Sequence, residues 1–332
     1  MKKIRVAING FGRIGRVFTR TLLNQDNIEL VAVNDLTDNK TLTHLLKYDS
    51  VHRAFPGEVS LGDGGIVING KLVRVFEERD PAKLPWGELN IDVVIESTGI
   101  FRTRDTAIKH IEAGAKKVII SAPAKGGGVP GYVMGINDDK IDKNETVLSN
   151  ASCTTNCAAP MVKILNDLCG IENGFITTVH SYTGDQNLHD SPHSDLRRAR
   201  AAAVSIIPTS TGAAEAIAEI FPELEGKMDG RGIRVPVSDG SLTELTCTVK
   251  NIKSVEEINA AFQKAAEGHL KGILAYNEDP IVSCDIVGNP HSCIFDSELT
   301  TIIGNQVQLI GWYDNEFGYS NRLTDMILRI SK

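Results

Sequence analysis

The hydrophobic positions of the chain fall into two textures. In the first, short apolar runs alternate with helical stripes. Ile4-Arg5-Val6-Ala7-Ile8 reads as a strand, and Ile14, Val17, Phe18 and Leu22 then recur at helical spacing. Residues 29–34 predict a second strand, ending at Asp35. Residues 91–96 and 117–120 predict two more, ending at Ser97-Thr98-Gly99 and Ser121-Ala122-Pro123, with a helix over 103–113 between them. Such alternation predicts a parallel sheet covered by helices. Residues 59–75 differ. They alternate and carry Gly62, Gly64-Gly65 and Asn69-Gly70, which predicts an antiparallel hairpin inserted in the sheet.

The second texture follows the apolar residues 146–148. Ala158, Met161, Val162 and Leu165 fall at i, i+3, i+4 and i+7, so a helix begins near Ser152 and stops at Gly170. Residues 175–182 are β-branched and read as a strand carrying His180. Residues 183–200 are polar and irregular; an alanine-rich helix follows at 213–220. Strands are predicted at 231–237, 242–249 and 306–312, and helices at 254–268 and 319–330. Ser254 and Glu257 form a capping box for the first of these helices. The fold class predicted is α/β: a Rossmann-type dinucleotide-binding domain over residues 1–150, then an α+β domain over 151–316 built on a mostly antiparallel sheet.

Length and charge narrow the function. At 332 residues the chain should hold about two domains. A net charge of −7 argues against a nucleic-acid footprint, which needs a basic face. No apolar run approaches the ~20 residues of a membrane span. Lys2-Lys3 is followed only by residues 4–8 before Asn9-Gly10, which is a strand and not a signal sequence. The six cysteines are scattered and read as reduced thiols of the cytosol. Cys153 and Cys157 have no second pair at zinc-site spacing, so no metal site is expected.

Candidate chemistry sits at the element ends. Gly10, Gly12 and Gly15 fit G-x-G-x-x-G between a strand and a helix, the context in which that motif holds a pyrophosphate at a helix N-terminus. Asp35 lies where a carboxylate accepts hydrogen bonds from the adenosine ribose and repels a 2′-phosphate, which favours NAD. Cys153 falls in the first turn of its helix, where free N–H groups and the helix dipole favour a thiolate. His180, at a strand end, could deprotonate it, and an imidazolium there would stabilise the thiolate further. Thr183, Arg198, Thr211 and Arg234 are hydroxyls and guanidiniums at loop positions, suited to phosphate oxygens. Taken singly, each also fits a bland role: a capped polar loop, a satisfied structural histidine, a solvated arginine face.

Taken together, the parts resemble a known family. Asn9-Gly10-Phe11-Gly12-Arg13-Ile14-Gly15-Arg16, Ser149-Asn150-Ala151-Ser152-Cys153-Thr154-Thr155-Asn156-Cys157, His180-Ser181-Tyr182-Thr183-Gly184-Asp185-Gln186 and Trp312-Tyr313-Asp314-Asn315-Glu316-Phe317-Gly318-Tyr319-Ser320 occur in this order. The chain looks like a phosphorylating glyceraldehyde-3-phosphate dehydrogenase over its whole length. The resemblance implies oxidation of glyceraldehyde 3-phosphate to 1,3-bisphosphoglycerate with NAD and inorganic phosphate. It makes Cys153 the nucleophile, through a thiohemiacetal and a thioester, and His180 its activator. It assigns Ser152, Thr154, Thr183, Arg198, Thr211, Gly212 and Arg234 to the substrate and phosphate sites. It assigns Gly10, Gly12, Arg13, Ile14, Asp35, Arg79, Ser121 and Asn315 to NAD. It returns the C-terminal helix, 317–332, to the nucleotide domain, and implies a cytoplasmic homotetramer.

One departure concerns the cofactor. Ser191-Pro192 stands where many NAD-specific members carry Leu-Pro, and plastid forms that accept NADP carry small polar residues there. Erythrose-4-phosphate dehydrogenase is the nearest alternative, but it departs at the phosphate-holding segments. Aspartate-semialdehyde dehydrogenase shares the plan and the cysteine without these flanking motifs. A non-catalytic NAD-binding protein would need a broken site, and no residue is missing.

Overall fold

The computed structural model describes residues 3–332; Met1 and Lys2, the start of the would-be signal sequence, lie outside the described residues. The chain forms two compact units. The first holds residues 3–132, 140–151 and 320–332; the second holds 133–139 and 152–319. Seven residues past the middle of the nucleotide half, 133–139, therefore join the second unit.

In the first unit, β1 (Ile4–Asn9), α1 (Arg13–Thr21) and β2 (Ile28–Asn34) make the opening strand–helix–strand. Then come α2 (Asn39–Lys47) and a short ribbon, β3 (Tyr48–Asp49) with β4 (Arg53–Ala54). They are followed by β5 (Val59–Gly62), β6 (Gly65–Ile68), β7 (Lys71–Phe76) and β8 (Val93–Glu96). The unit goes on through α3 (Arg104–Ala107), α4 (Lys109–Glu112), β9 (Lys117–Ile120) and β10 (Val147–Ser149). The sheet runs β10-β9-β8-β1-β2-β7-β6-β5. Its first six strands are parallel, and their apolar residues, Val6, Ala7, Ile8, Val94, Ile95, Val118 and Ile119 among them, are fully buried. That is what a strand covered on both faces requires.

Two predictions change here. The alternating stretch 59–75 is three strands and not a hairpin, and it extends the edge of the sheet instead of being inserted. Only its last strand, β7, pairs with β2. The helix over 103–113 is broken at Ile108, whose carbonyl accepts from Ile111 in a tighter turn as well as from Glu112.

The second unit opens with α5 (Cys153–Cys169), followed by β11 (Ile171–Ser181), β12 (Ile207–Thr209) and α6 (Ala213–Ile220). It continues with β13 (Met228–Val235), β14 (Ser241–Val249), α7 (Val255–Glu267) and β15 (Leu274–Asn277). Last come β16 (Cys293–Asp296), β17 (Thr301–Ile303), β18 (Gln306–Tyr313) and α8 (Phe317–Ile330), whose residues from Ser320 on fall in the first unit. The sheet order is β12-β13-β11-β14-β18-β16-β15, with β17 on β18. Only β11–β13 and β15–β16 are parallel pairs. Helix α5 packs on this sheet, and its predicted stripe, Ala158, Met161, Val162 and Leu165, is wholly buried.

Candidate active site

The glycines of the first turn each answer a contact. Gly10 has φ +91°, and a Cβ there would lie 2.6 Å from the Thr98 backbone nitrogen. A Cβ on Gly15 would lie 2.5 Å from the Gly10 carbonyl oxygen, so helix and strand could not close up. Gly12 is different: no heavy atom lies within 4 Å of its Cβ position, and it begins α1 with no side-chain cap. The space beside it suits the backbone approach of a pyrophosphate to free N–H groups. A cavity of about 480 Å³ opens there, lined by Gly10, Gly12, Asp35, Arg79, Ser97 and Thr98 among others. Asp35 accepts from the Phe11 N–H at 2.7 Å and the Thr37 N–H at 3.0 Å, which fixes its carboxylate at the end of β2. These features fit NAD.

The remaining expected cofactor residues are placed less directly. Arg13 and Ile14 lie in the first turn of α1, but the Arg13 guanidinium donates to Asp49 at 2.7 Å. Ser121 follows β9 and donates its N–H to Glu96 O at 2.9 Å. Neither residue of α1 nor Ser121 lines the cavity. Asn315 belongs to the second unit, where its Oδ1 accepts from Ser181 Oγ at 2.9 Å and Ser241 Oγ at 2.7 Å.

Behind the cavity runs a buried network that the sequence reading missed. Trp86 Nε1 donates to His110 Nδ1 at 3.0 Å, so the ring proton is on Nε2, which donates to Glu96 at 2.9 Å. Asn9 donates to the same carboxylate at 2.6 Å, and Asn34 donates to Asn9 at 2.7 Å. The network ties together the ends of β1, β2 and β8.

In the second unit Ser152 is the N-cap of α5, its Oγ accepting from the Thr155 N–H at 3.0 Å. Cys153 is the first helical residue, and its Sγ stands 3.4 Å from His180 Nε2. Thr154 meets the buried Tyr313 hydroxyl at 3.0 Å, and Thr178 meets it at 2.7 Å. Thr178 and His180 share one face of β11 because they are two residues apart. The Tyr313 ring packs edge-on against His180 at 5.9 Å. Neither Thr178 nor Tyr313 was singled out from sequence, although the strand period marks the first and the Trp312 run contains the second.

Burial acts against the expected activation of the thiol, and the neighbouring charges act for it. Burial pushes the Cys153 thiol up to about 11; the nearby Arg234 charge and the N–H groups of the helix end work against this without overcoming it. Burial, then the Arg234 charge, pushes His180 down to about 3. Both shifts oppose a charged pair, while the helix end and Arg234 pull the half-buried thiol the other way.

The expected phosphate residues gather in the same unit. His180 and Arg234 are directly opposite in the parallel pair β11–β13. Arg234 Nη1 lies 2.8 Å from His180 Nδ1 and donates to Ser181 O at 3.0 Å. Arg198 donates through Nε to Thr209 at 2.9 Å and through Nη1 to Asp185, to which the Thr183 hydroxyl also donates. Asp185, not singled out from sequence, thus holds a carboxylate against two groups expected to meet phosphate. Gly212 begins α6 with no side-chain cap, and the Thr211 Oγ1 accepts from the Ala213 N–H at 3.3 Å.

Comparison with known proteins agrees with this geometry. The family description "Glyceraldehyde 3-phosphate dehydrogenase, C-terminal domain" matches residues 152–315, and "Glyceraldehyde 3-phosphate dehydrogenase, NAD binding domain" matches residues 4–104. The chain belongs to the glyceraldehyde-3-phosphate dehydrogenase family. It is 57% identical over 336 residues to the glyceraldehyde-3-phosphate dehydrogenase of Mycobacterium avium, covering 99% of each chain. It is 56% identical over 337 residues to that of Mycolicibacterium smegmatis, again covering 99% of each. Glyceraldehyde-3-phosphate dehydrogenase 2 of Streptomyces avermitilis is 57% identical over 326 residues, 97% of each chain. As in the glyceraldehyde-3-phosphate dehydrogenase family descriptions, the dinucleotide turn falls in one matched region and the Cys153–His180 pair in the other.

Proposed function

We propose that the chain oxidises glyceraldehyde 3-phosphate to 1,3-bisphosphoglycerate with NAD and inorganic phosphate, in glycolysis or gluconeogenesis in the cytoplasm. The observation that carries this reading is the Cys153–His180 pair at 3.4 Å with Arg234 beside it. Cys153 Sγ adds to the aldehyde carbon and forms a thiohemiacetal. The Cys153 N–H and His180 Nε2 stabilise the oxygen that gains charge. His180 takes the hydroxyl proton as the carbonyl re-forms and a thioester is left on Cys153. NAD supplies the hydride acceptor when bound. Inorganic phosphate, held by Arg198, Arg234, Thr183 and the start of α6, attacks the thioester and releases the acyl phosphate and the thiol.

The test is purified enzyme with glyceraldehyde 3-phosphate and NAD, followed by NADH absorbance. NADH should accumulate only when inorganic phosphate or arsenate is present beyond one turnover. Turnover indifferent to phosphate would contradict the reading. No observation favours erythrose 4-phosphate.

Asp35 is the proposed reader of the ribose. Asp35→Gly should weaken NAD binding and improve NADP use relative to NAD, because a hydrogen-bond acceptor and a repelling charge are both lost. Unchanged kcat/KM ratios for the two cofactors would show that Asp35 does not read it. Arg198 is proposed to hold a phosphoryl group. A hydrogen bond to a charged group is worth roughly 1.5–3 kcal/mol, so Arg198→Leu should raise KM for sugar phosphate or inorganic phosphate about ten- to a hundred-fold. Wild-type saturation curves for both would refute the assignment.

A homotetramer is also proposed. The segment between β11 and α6 leaves Leu188, Leu196, Val204 and Ile206 at least 70% exposed, more apolar surface than one loop of a monomer needs. Sedimentation equilibrium reads the assembly directly, and a monomer at micromolar concentration would exclude it.

A further inference from the structure

Four neutral donors surround the Glu96 carboxylate at the end of β8. Asn9 Nδ2 at 2.6 Å and His110 Nε2 at 2.9 Å donate to Oε2. The Thr98 N–H at 2.9 Å and the Thr98 hydroxyl donate to Oε1. His110 is neutral because its Nδ1 accepts from Trp86. Glu96 is 2% exposed, so a carboxylate is buried among uncharged partners. Such a group is costly unless its lone pairs are all used, and here four donors meet four lone pairs.

A carboxylate only accepts, and that fixes the direction of each amide beyond it. Asn9 turns its Nδ2 to Glu96, so its Oδ1 faces Asn34 and accepts from Asn34 Nδ2 at 2.7 Å. The same Nδ2 donates to Glu78 O at 2.8 Å, and Asn34 Oδ1 accepts from the Glu78 N–H at 2.9 Å. The chain Thr98–Glu96–Asn9–Asn34–Glu78 therefore runs across the ends of β8, β1 and β2. All of its members except Glu96 line the cavity beside Gly12 and Asp35. The β8 end is also strapped to the dinucleotide turn, because Ser97 Oγ donates to Gly10 O at 2.6 Å.

We propose that Glu96 is a positioning residue for the adenosine half of the dinucleotide: its carboxylate holds Thr98 in one wall of the cavity and, through Asn9 and Asn34, the Glu78–Arg79 segment in another. This rests on the reading of the cavity as the NAD site, with Asp35 as the reader of the ribose. His110, oriented by Trp86, holds the carboxylate from behind. Glutamine at this position has the same size, but its nitrogen donates. Turned toward Asn9 and His110, that nitrogen meets two donors that cannot yield, since Asn34 fixes the first and Trp86 the second. Turned toward Thr98, it meets a hydroxyl that can rotate and an N–H that cannot. One N–H of the cavity wall then loses its acceptor, and Thr98 moves.

Calorimetry on the full enzyme, with NAD and with ADP-ribose, which lacks the nicotinamide, tests this. Glu96→Gln should weaken both ligands by the same factor, about tenfold, the loss of one hydrogen bond to a charged group. KM for NAD should rise alike, while kcat at saturating NAD stays within about twofold of the wild type. His110→Phe is the second variant in case the first does not fold. It takes a donor from the same carboxylate and should also weaken ADP-ribose, whereas His110→Gln, which can still donate to Glu96, should restore most of the affinity. A folded Glu96→Gln or His110→Phe with a lowered melting temperature and wild-type affinity for ADP-ribose would make the network merely structural and overturn the proposal, leaving the NAD site standing. Weaker NAD with unchanged ADP-ribose, or a fall in kcat alone, would overturn it as well. If the wild type binds neither NAD nor ADP-ribose, the NAD reading fails and the proposal with it.

Discussion

Cys153→Ser is expected to abolish NADH formation from glyceraldehyde 3-phosphate, a loss on the order of 10⁴-fold or more, as removal of a covalent nucleophile does elsewhere. The reason is chemical as well as geometric. Sulfur is intrinsically the better nucleophile, and only a thioester keeps the oxidation energy for transfer to phosphate. A serine hydroxyl in the same place would have to ionise where burial already pushes a thiol up to about 11. NAD binding, measured by calorimetry, should stay close to wild type, because the dinucleotide turn and Asp35 belong to the other unit. Cys157 is the internal control. It sits one helical turn deeper, fully buried, with its S–H donating to Gly311 O at 3.5 Å. Cys157→Ser should keep substantial activity. Normal turnover in Cys153→Ser, or complete loss in Cys157→Ser with an intact fold, would mean that the wrong sulfur has been named.

How far the sequence carries depends on whether a feature is local. Gly10 and Gly15 are legible because a tight turn and a close helix–strand approach admit no other residue, and the spacing records that demand. The start of α5 is legible because Ser152 caps it and the apolar stripe behind it has one period. The strands β15 and β16, Leu274–Asn277 and Cys293–Asp296, are not legible, because each ends in a polar residue and lacks the helix-alternating context that marks β8 and β9. The edge placement of residues 59–76 is a matter of which strand pairs with β2, and alternation alone does not record it. Partners distant in sequence are also silent. Glu96, His110 and Asn9 meet only once the strands are laid side by side, and Asp185 reaches Arg198 only through the fold of the loop. The burial around the Cys153–His180 pair is likewise silent in sequence. A helix N-terminus is a local feature and is visible; the burial that opposes it belongs to the whole fold.

Burial of the pair bears on what His180 should do when replaced. His180→Asn is expected to cut kcat by about 10²–10⁴-fold, the range for loss of a positioned acid–base group. Asparagine can still donate to an oxyanion but cannot accept the thiol proton or the hydroxyl proton of the thiohemiacetal. Alkylation of Cys153 by iodoacetamide, without phosphate or sulfate, should respond differently. With the thiol at about 11, roughly one molecule in 10⁴ is thiolate at pH 7, and the rate should climb about tenfold per pH unit toward that midpoint. Burial, then the Arg234 charge, pushes His180 down to about 3, and exchanging a neutral ring for a neutral amide removes no positive charge. The midpoint in His180→Asn should therefore stay near that of the wild type while turnover collapses. A midpoint in the wild type near neutrality that moves upward in the variant would reveal a resting thiolate–imidazolium pair, and the neutral pair argued from burial would be wrong. Turnover that survives the replacement would remove His180 from the proton path altogether.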